Sequence, residues 1–353
     1  MIEVSYILSE GYKELSNRKI SGVDYLTKSK NIKEVFIDTV FFIFRGLEKW
    51  KIKLQLVKPN IIYFYNMHPL NIILTKFARR YVANVTIILH LHEPNQPDKY
   101  YFSKKQKLII YIQEYLQDKL VYLSDYIILP SPFAADLFRR RFNKFTGKFY
   151  IVPLCIPDEP AISYKRDYVV MTGHVYPDGR VEDFCRLLEY AANVSCSFRF
   201  RIVTSSQITA FLQKKLSEKA LSLLDIVEKR PLSDKEINEH MANAFASLSM
   251  HTRGSQSGVT PVAFMNGTPI VARNIPMFNQ FVEDKVNGRL VSPTAEPSEW
   301  LSAIESVRSN FEKMSKEARN SFLSIFHESK LENYLGWLIQ EIRQKTNTEK
   351  QTH

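Results

Sequence analysis

Short apolar runs in the first half of the chain restrict its fold more than any other feature. The runs share β-branched and aromatic residues; they are NIIYFYN (60–66), NVTIILHL (84–91) and DYIILPS (125–131). Continuous apolar runs of this length are typical of strands buried on both faces, as in a parallel sheet. The intervening segments are long enough for helices, at residues 70–80, 104–123 and 132–142. This alternation predicts βαβ units.

A proline-containing segment, residues 150–167, interrupts the pattern, which then resumes. We predict strands at 168–173, 198–206, 245–250 and 268–273, helices at 181–194 and 234–244, and one long helical stretch at 298–343. The fold class is therefore α/β, with two doubly wound Rossmann-like domains facing each other across a cleft. The predicted parts are an N-terminal domain (1–155), a linker (156–166), a C-terminal domain (167–330), a helix packing back on the first domain (331–343) and a disordered polar tail (344–353).

Composition narrows the functional classes. The chain has 353 residues, enough for two domains, and its net charge is +11. Residues 1–160 hold 24 Lys and Arg against 15 Asp and Glu, whereas the remainder holds 24 against 22. The basic first half suits phosphates, anionic lipid headgroups or an acidic substrate, and the alternative is a solvated surface. We find no apolar run long enough to span a membrane and no signal peptide. Three scattered cysteines favour a reducing cytoplasm.

Polar residues at the predicted strand ends are the first candidates for a site. His90 and His92 lie on one side of a strand end by the period of two. His92 suits an acid, a base or a hydrogen-bonding group; the alternative is a histidine that caps backbone. Gly173 directly follows a strand, where glycine lets the backbone approach a ligand or simply makes a turn. Arg180, at the start of a helix, suits a phosphate.

The segment HTRGSQSGVTPVAFMNG (251–267) is the richest in candidates. Small and hydroxyl residues precede an apolar run that predicts a helix of about two turns. Gly258, Val259 and Thr260 open this helix, whose free N–H groups and dipole favour an anion. Arg253 adds a positive charge suited to a diphosphate. The alternative is an ordinary capped helix.

These residues stand in a chain that resembles family 4 of the retaining glycosyltransferases, which have the two-domain GT-B fold. The resemblance preserves order from Leu56 to Leu338 and is weak in the first fifty residues, where no glycine-rich loop follows the first strand. It is strongest in four segments: LHEPNQP (91–97), SDYIILPSPFAADLF (124–138), YIVPLCIPDE (150–159) and NGTPIVARNIPMFNQFVEDKVNGRLVSP (266–293). The last segment carries the most specific match, with these residues in register: Gly267, Thr268, Pro269, Asn287 and Gly288.

The resemblance implies transfer of a sugar from a nucleotide-sugar donor to an acceptor, with retention and without a metal or other cofactor. The C-terminal domain would bind the nucleotide and the basic N-terminal domain the acceptor. By position, His92 matches the family's histidine that contacts the donor sugar. Gly258 and Thr260 match the helix start that cradles the diphosphate, and Gly173 matches the glycine after the first strand of the second domain. The base would contact the loop 228–234, with Arg230 and Leu232 as candidates.

The chain departs from the family at several charged positions. Ser255 and Ala263 stand where the family has two glutamates that hold the sugar and the ribose. Gln280 stands where the family has a further glutamate. The family's arginine after the glycine is His174, and its Lys-Gly pair appears reversed as Gly179-Arg180. Replacement hydrogen bonds for the lost carboxylates are available from four candidates: Arg180, Arg253, Ser255 and Gln256.

Two functions follow as alternatives. One is an active glycosyltransferase with a divergent donor pocket, acting on a glycan or lipid-linked acceptor in cell-surface polysaccharide or glycolipid synthesis. The other is an inactive homologue that serves as a binding or chaperone subunit of another transferase. The lysines and aromatics of residues 100–123 suit an anionic membrane surface. A cytoplasmic protein with such a segment would be peripheral on the inner face of the membrane. The alternative is a core helix with a basic edge. We expect no nucleic-acid partner, since no recognition motif accompanies the charge. The oligomeric state is left open.

Overall fold

The computed structural model describes residues 4–9, 23–27, 47–65, 68–94, 104–173 and 179–351. The chain divides into two compact units. The first comprises Met1–Val152 and Asn333–His353, and the second comprises Pro153–Glu332. His174 lies outside the described residues, as do residues 10–22, where a glycine-rich loop would follow the first strand.

The described residues of the first unit form a six-stranded parallel sheet in the order β2-β1-β3-β4-β5-β6. Its strands are β1 Val4–Ser9, β2 Val23–Thr27, β3 Ile61–Phe64, β4 Thr86–His90, β5 Tyr126–Leu129 and β6 Lys148–Ile151. Its helices in this half are α1 Leu47–Val57, α2 Pro69–Tyr81, α3 Lys104–Leu123 and α4 Pro132–Arg141. The strand order reverses between β1 and β3, and such reversals are where ligands bind in doubly wound sheets.

Local sequence explains where two of these helices begin. Ser131 Oγ accepts a hydrogen bond from the N–H of Ala134 at 3.0 Å, and Pro132 occupies the first helical position of α4. At the start of α2, His68 Nδ1 accepts from the N–H of Leu70 at 3.1 Å, and Pro69 follows the cap. A cap satisfies an N–H that has no partner within the helix, and proline brings no N–H at a position where none is needed.

Alternate residues of the first sheet enter two separate cores. Ile62 and Ile87 belong to one buried cluster, and Ile61 and Ile88 belong to another. A strand directs successive side chains to opposite faces, so both faces of this sheet are covered. The prediction of strands buried on both sides is confirmed.

The second unit contains, within the described residues, a parallel sheet in the order β12-β11-β10-β7-β8-β9. Its strands are β7 Tyr168–Thr172, β8 Arg199–Thr204, β9 Leu224–Glu228, β10 Ala244–Ser249, β11 Ile270–Arg273 and β12 Gly288–Val291. Its helices are α5 Gly179–Asn193, α6 Thr209–Lys215, α7 Glu218–Leu221, α8 Asp234–Ala242, α9 Val259–Met265, α10 Pro276–Asn279, α11 Pro297–Ser309 and α12 Phe311–Ser321, followed by a π-helical turn, Phe322–Phe326. This is the Rossmann strand order, and it reverses between β7 and β10. The predicted fold class of two doubly wound α/β sheets is confirmed.

The C-terminal region differs from the single helical stretch that the sequence predicts. Helices α11 and α12 and the π-helical turn precede a last helix, α13 Ser329–Gln351, which passes into the first unit. Leu338 and Ile342 of α13 lie in the same buried cluster as Ile61 and Ile88 of the first sheet. The helix continues through most of the segment predicted to be a disordered tail. That segment has no proline or glycine and contains Gln, Lys and Glu, which favour helices.

Carboxylate contacts add to this packing. Glu341 of α13 accepts a hydrogen bond from Tyr150 and forms an ion pair with Lys148 at 2.5 Å. Among the described residues, no helix combines the length and apolar content that a bilayer span requires.

Candidate functional site

The carboxyl ends of the second unit's strands gather most of the candidate residues. Gly173 follows β7, Arg230 and Leu232 follow β9, and the loop from Arg253 to Thr260 follows β10. Because all strands of this sheet are parallel, their carboxyl ends meet at one edge. The reversal of strand order places Gly173 and the 253–260 loop on its two sides, at the position where such sheets bind ligands.

Gly173 has a backbone that favours glycine. Its φ is +105°, and a Cβ built on it would meet no atom of the described residues within 4 Å. Its N–H donates to Val203 O at 3.2 Å, and Thr204 Oγ1 donates to its carbonyl at 2.7 Å. The turn is therefore held firmly by β8, while the side that a Cβ would occupy stays open for an approaching group.

Two glycines of the 253–260 loop are present for different reasons. Gly254 has φ +141°, and a Cβ there would lie 2.6 Å from Met277 Sδ, so the fold itself requires glycine. Gly258 has φ −65°, and the nearest atom to its Cβ would be a Leu154 carbon at 4.0 Å. No described residue crowds Gly258, which fits a position where a ligand comes close to the backbone.

Two buried polar groups of this loop make no hydrogen bond within the described part of the chain. They are the Thr260 hydroxyl, in a residue only 1% exposed, and the Gln256 Nε2 amide. Leaving such a group unsatisfied costs about 1–3 kcal/mol, and most buried polar groups avoid it. Ser257 meanwhile satisfies the helix locally, because its Oγ accepts from the N–H of Val259 at 3.3 Å. Two unsatisfied buried polar groups, four residues apart, are typical of a loop that binds a polar ligand.

The positions that differ from the family pattern are buried. Ser255 is fully buried, and its carbonyl accepts from Gln280 Nε2 at 3.1 Å. Gln280 thus ties the loop to α10, where it also donates to Met277 O at 3.3 Å. Ala263 is fully buried in an apolar cluster against which Val259 also packs. The two motif positions now contribute packing and loop structure.

The arginines at this edge differ in burial. Arg253 is exposed and Arg180, in the first turn of α5, is half-buried; both have polar contacts. Arg230 is exposed, whereas Leu232 is partly buried and packs against the cluster that contains Tyr168 and Met241. Three cationic side chains and an apolar one thus lie around the edge, which suits a phosphorylated ligand that also has a flat apolar part.

Sequence reasoning missed Arg273, the last residue of β11. It is 4% exposed, pairs with Asp183 of α5, and donates to the carbonyl of Pro293 at 2.6 Å. Its Nε also donates to Met250 O, at 3.5 Å, just after β10. Arg273 therefore joins α5, near Arg180, to the strand that carries the 253–260 loop. An arginine at the end of an otherwise apolar strand run is the signal that would have found it.

The first unit holds His92 in an aromatic cluster at the ends of β3 and β4. The rings of His90 and His92 stack with centroids 4.1 Å apart and planes 19° apart. Tyr65 packs edge-on against His92 at 4.6 Å, and the Tyr63 hydroxyl lies 2.7 Å from His90 Nδ1. His92 is therefore positioned by its neighbours through ring packing, which the sequence period alone did not reveal.

Burial controls the charge of both histidines. Burial holds the pKa of His90 well below its usual value, and the charge of His92 lowers it further. Burial also lowers the pKa of His92, against a hydrogen bond with the Tyr65 backbone that raises it. Both rings are therefore neutral at pH 7. A neutral imidazole has one N–H donor and one acceptor nitrogen, so His92 can hydrogen-bond a hydroxyl or accept a proton.

Comparison with known proteins points to one fold. No protein-family model and no curated protein matches the sequence. Among solved structures, sucrose-phosphate synthase from Thermosynechococcus elongatus matches with a TM-score of 0.72 and 13% identity, over 98% of this chain and 100% of that chain. A glycosyltransferase from Rickettsia africae ESF-5 matches with a TM-score of 0.63 and 12% identity, over 91% of this chain and 84% of that chain. Anabaena Alr3699/HepE, solved in complex with UDP, matches with a TM-score of 0.62 and 14% identity, over 90% of this chain and 86% of that chain. At these identities the likeness shows the fold, which is that of the GT-B glycosyltransferases.

Proposed function

We propose that this protein is a glycosyltransferase that moves a sugar from a nucleotide-sugar donor to a glycan or lipid-linked acceptor, in cell-surface polysaccharide or glycolipid synthesis. The observation that carries the proposal is the pair of unsatisfied polar groups, Thr260 Oγ1 and Gln256 Nε2, at the switch point of a Rossmann-ordered sheet. The fold supports it, because the similar structure of Anabaena HepE was solved with UDP.

In this proposal the second unit binds the donor nucleotide. Thr260 and Gln256 donate to the diphosphate, which lies against the backbone at Gly258. Arg180 and Arg253 supply positive charge to the leaving phosphate, so the proposal includes no metal; activity that a chelator abolishes would contradict that part. The base stacks near Leu232, with Arg230 at its edge.

For His92 of the first unit, the proposal keeps the role that the family resemblance implies, a hydrogen bond between its neutral ring and a hydroxyl of the transferred sugar. A transfer with retention of the anomeric configuration is part of the proposal, and it rests on the family resemblance alone. Product analysis by NMR would decide it, because an inverted product excludes retention.

The missing carboxylates set the expected affinity. Each hydrogen bond that a carboxylate accepts from a hydroxyl is worth about 1.5–3 kcal/mol, so losing two weakens donor binding by at least about a hundredfold unless other groups compensate. Gln256 can compensate in part, because its amide nitrogen is buried in the loop and makes no hydrogen bond among the described residues. We therefore expect a donor affinity in the micromolar to millimolar range.

Calorimetric titration with UDP, GDP, TDP and CMP tests nucleotide binding directly. Replacing Thr260 by Val removes the unsatisfied hydroxyl while keeping the shape, so the fold should become slightly more stable and nucleotide affinity should fall about three- to tenfold. Thr75 in α2 is a matched control, because its hydroxyl is also buried and unsatisfied among the described residues, but in the other unit. Thr75→Val should change stability and leave affinity unchanged.

The outcomes separate the two alternatives. Binding of one nucleotide that weakens in Thr260→Val supports the proposed donor site and identifies the donor class. Equal affinity in the two variants would remove Thr260 from the site. No binding by any nucleotide would favour the inactive subunit of another transferase and direct the search towards a protein partner.

A further inference from the structure

Helix α3 exposes a row of large apolar side chains. Five large side chains along it are half-exposed or more: Leu108 (61%), Tyr111 (53%), Ile112 (52%), Tyr115 (61%) and Tyr122 (50%). Isolated exposed apolar residues are common on proteins, but a row of them on one helix marks an interaction site.

The spacing of these residues places them together. They recur at intervals of three, four and seven positions, which puts them on one side of an α-helix. Leu120 and Val121, on the opposite side, are fully buried in the core of the first unit. The helix thus has one face in the core and a second apolar face, about 21 Å long, at the surface. We call this surface, with its lysines, the α3 stripe.

Basic groups accompany the stripe. Lys104, Lys107 and Lys119 are exposed along it. The ammonium of Lys107 lies 5.9 Å from the Tyr111 ring centre, and that of Lys119 lies 5.4 Å from the Tyr115 ring centre. These lysines therefore lie beside the aromatic rings, in the mixture that amphipathic helices use at an anionic lipid surface.

The neighbouring acidic and basic groups leave the area positive. Asp118, on the same face, is paired with Arg141 of α4 at 2.8 Å, and Glu114 lies half-buried at the stripe edge. Beyond this pair, α4 ends in two further exposed arginines, Arg139, which pairs with Asp136 at 2.8 Å, and Arg140. The ring of Tyr122 contacts Phe142, which directly follows α4, so the basic end of α4 adjoins the stripe.

We propose that the α3 stripe docks the protein onto the surface of an anionic lipid bilayer. The aromatic and aliphatic side chains enter the headgroup region, and the lysines and the α4 arginines contact lipid phosphates and carboxylates. Charge favours lipid over a second copy of this chain, because two copies would bring the same basic groups together. The inference stands whether or not the second unit binds a nucleotide.

Vesicle flotation of the full chain tests the docking. Phosphatidylcholine vesicles with one part in three of phosphatidylserine should bind the protein, and pure phosphatidylcholine vesicles should bind it at least about tenfold less. Replacing both Tyr111 and Tyr115 by Ser should lower binding about tenfold or more, with little change in thermal stability because both side chains are exposed. Lys107→Gln with Lys119→Gln should weaken binding to anionic vesicles and reduce its dependence on salt.

A matched control uses exposed apolar residues elsewhere. Ile162 and Tyr164 of the second unit are 71% and 85% exposed, and their replacement by Ser should leave vesicle binding unchanged. Equal binding by the stripe variant and the wild-type protein would overturn the proposal. Absence of binding to anionic vesicles, together with a dimer that the stripe variant loses, would assign the stripe to a second copy of the chain.

Discussion

Replacing Arg273 by Met should destabilise the second unit far more than the loss of an exposed ion pair would. The arginine side chain is 4% exposed and its partner Asp183 is 17% exposed. The substitution keeps a similar length but removes the charge, the hydrogen bond to Pro293 O and the position of the guanidinium over the Trp300 ring, 5.4 Å from its centre. A carboxylate and a carbonyl are then left without this partner in a largely buried place.

The expected loss of stability follows from these removed contacts. Breaking a buried ion pair by removing one partner costs about 3–5 kcal/mol. Asp183 keeps a second partner, Arg186, on the exposed side of α5, which reduces the charge left uncompensated. We therefore expect a loss near the low end, about 3 kcal/mol in the free energy of unfolding.

Urea unfolding of the full chain, followed by tryptophan fluorescence, measures this loss. Trp300 is the single tryptophan between residues 153 and 332, so it supplies the second unit's part of the signal, and Trp50 and Trp337 supply the first unit's part. Arg289→Met is the matched control: it breaks a pair with Asp284 at 2.9 Å whose side chains are 20% and 37% exposed, and should cost about 0–1 kcal/mol. If Arg273→Met costs no more than this control, Arg273 does not join α5 to the sheet as we infer.

Two further predictions concern the first unit's histidines. His92→Ala should lower sugar transfer at least about tenfold while the thermal stability changes little, and unchanged turnover would remove His92 from the site. The folded-state pKa of His90 is depressed, so below pH 6.5 the unfolded chain binds a proton that folded His90 does not. Stability should therefore fall as pH drops from 7 to 5, by up to about 1.4 kcal/mol per pH unit from this group. Urea unfolding across that range should show a smaller fall in His90→Gln; an equal fall would contradict the assignment.

The sequence predicted the secondary-structure elements better than the contacts between them. The strand runs near Ile61, Ile87 and Ile127 were found because a buried parallel strand is apolar at every position. The 253–260 loop was found because small and hydroxyl residues follow a strand and open a helix. The same reasoning missed β12 Gly288–Val291, whose four residues lack a continuous apolar run.

The C-terminal region shows how far local pattern extends. Apolar residues at helical spacing occur throughout residues 298–343, and this predicted a helical stretch without breaks before the helix at 331–343. The chain instead ends α11 at Ser309 and α12 at Ser321, and α13 begins at Ser329. Packing decided these breaks, because α11 covers the second sheet while α13 buries Leu338 against the first.

The sequence by itself determined the two parallel sheets and the helix starts at Pro132 and Asp234. These depend on the period of apolar residues and on neighbours a few positions apart, which a single chain displays directly. Tertiary structure alone decided the pairing of Arg273 with Asp183, ninety positions away, and the packing of Tyr63, His90 and His92. It also decided which face of α3 is left exposed. Such contacts depend on which strands become neighbours and which faces are covered, and the free energy of that choice is spread over the whole fold.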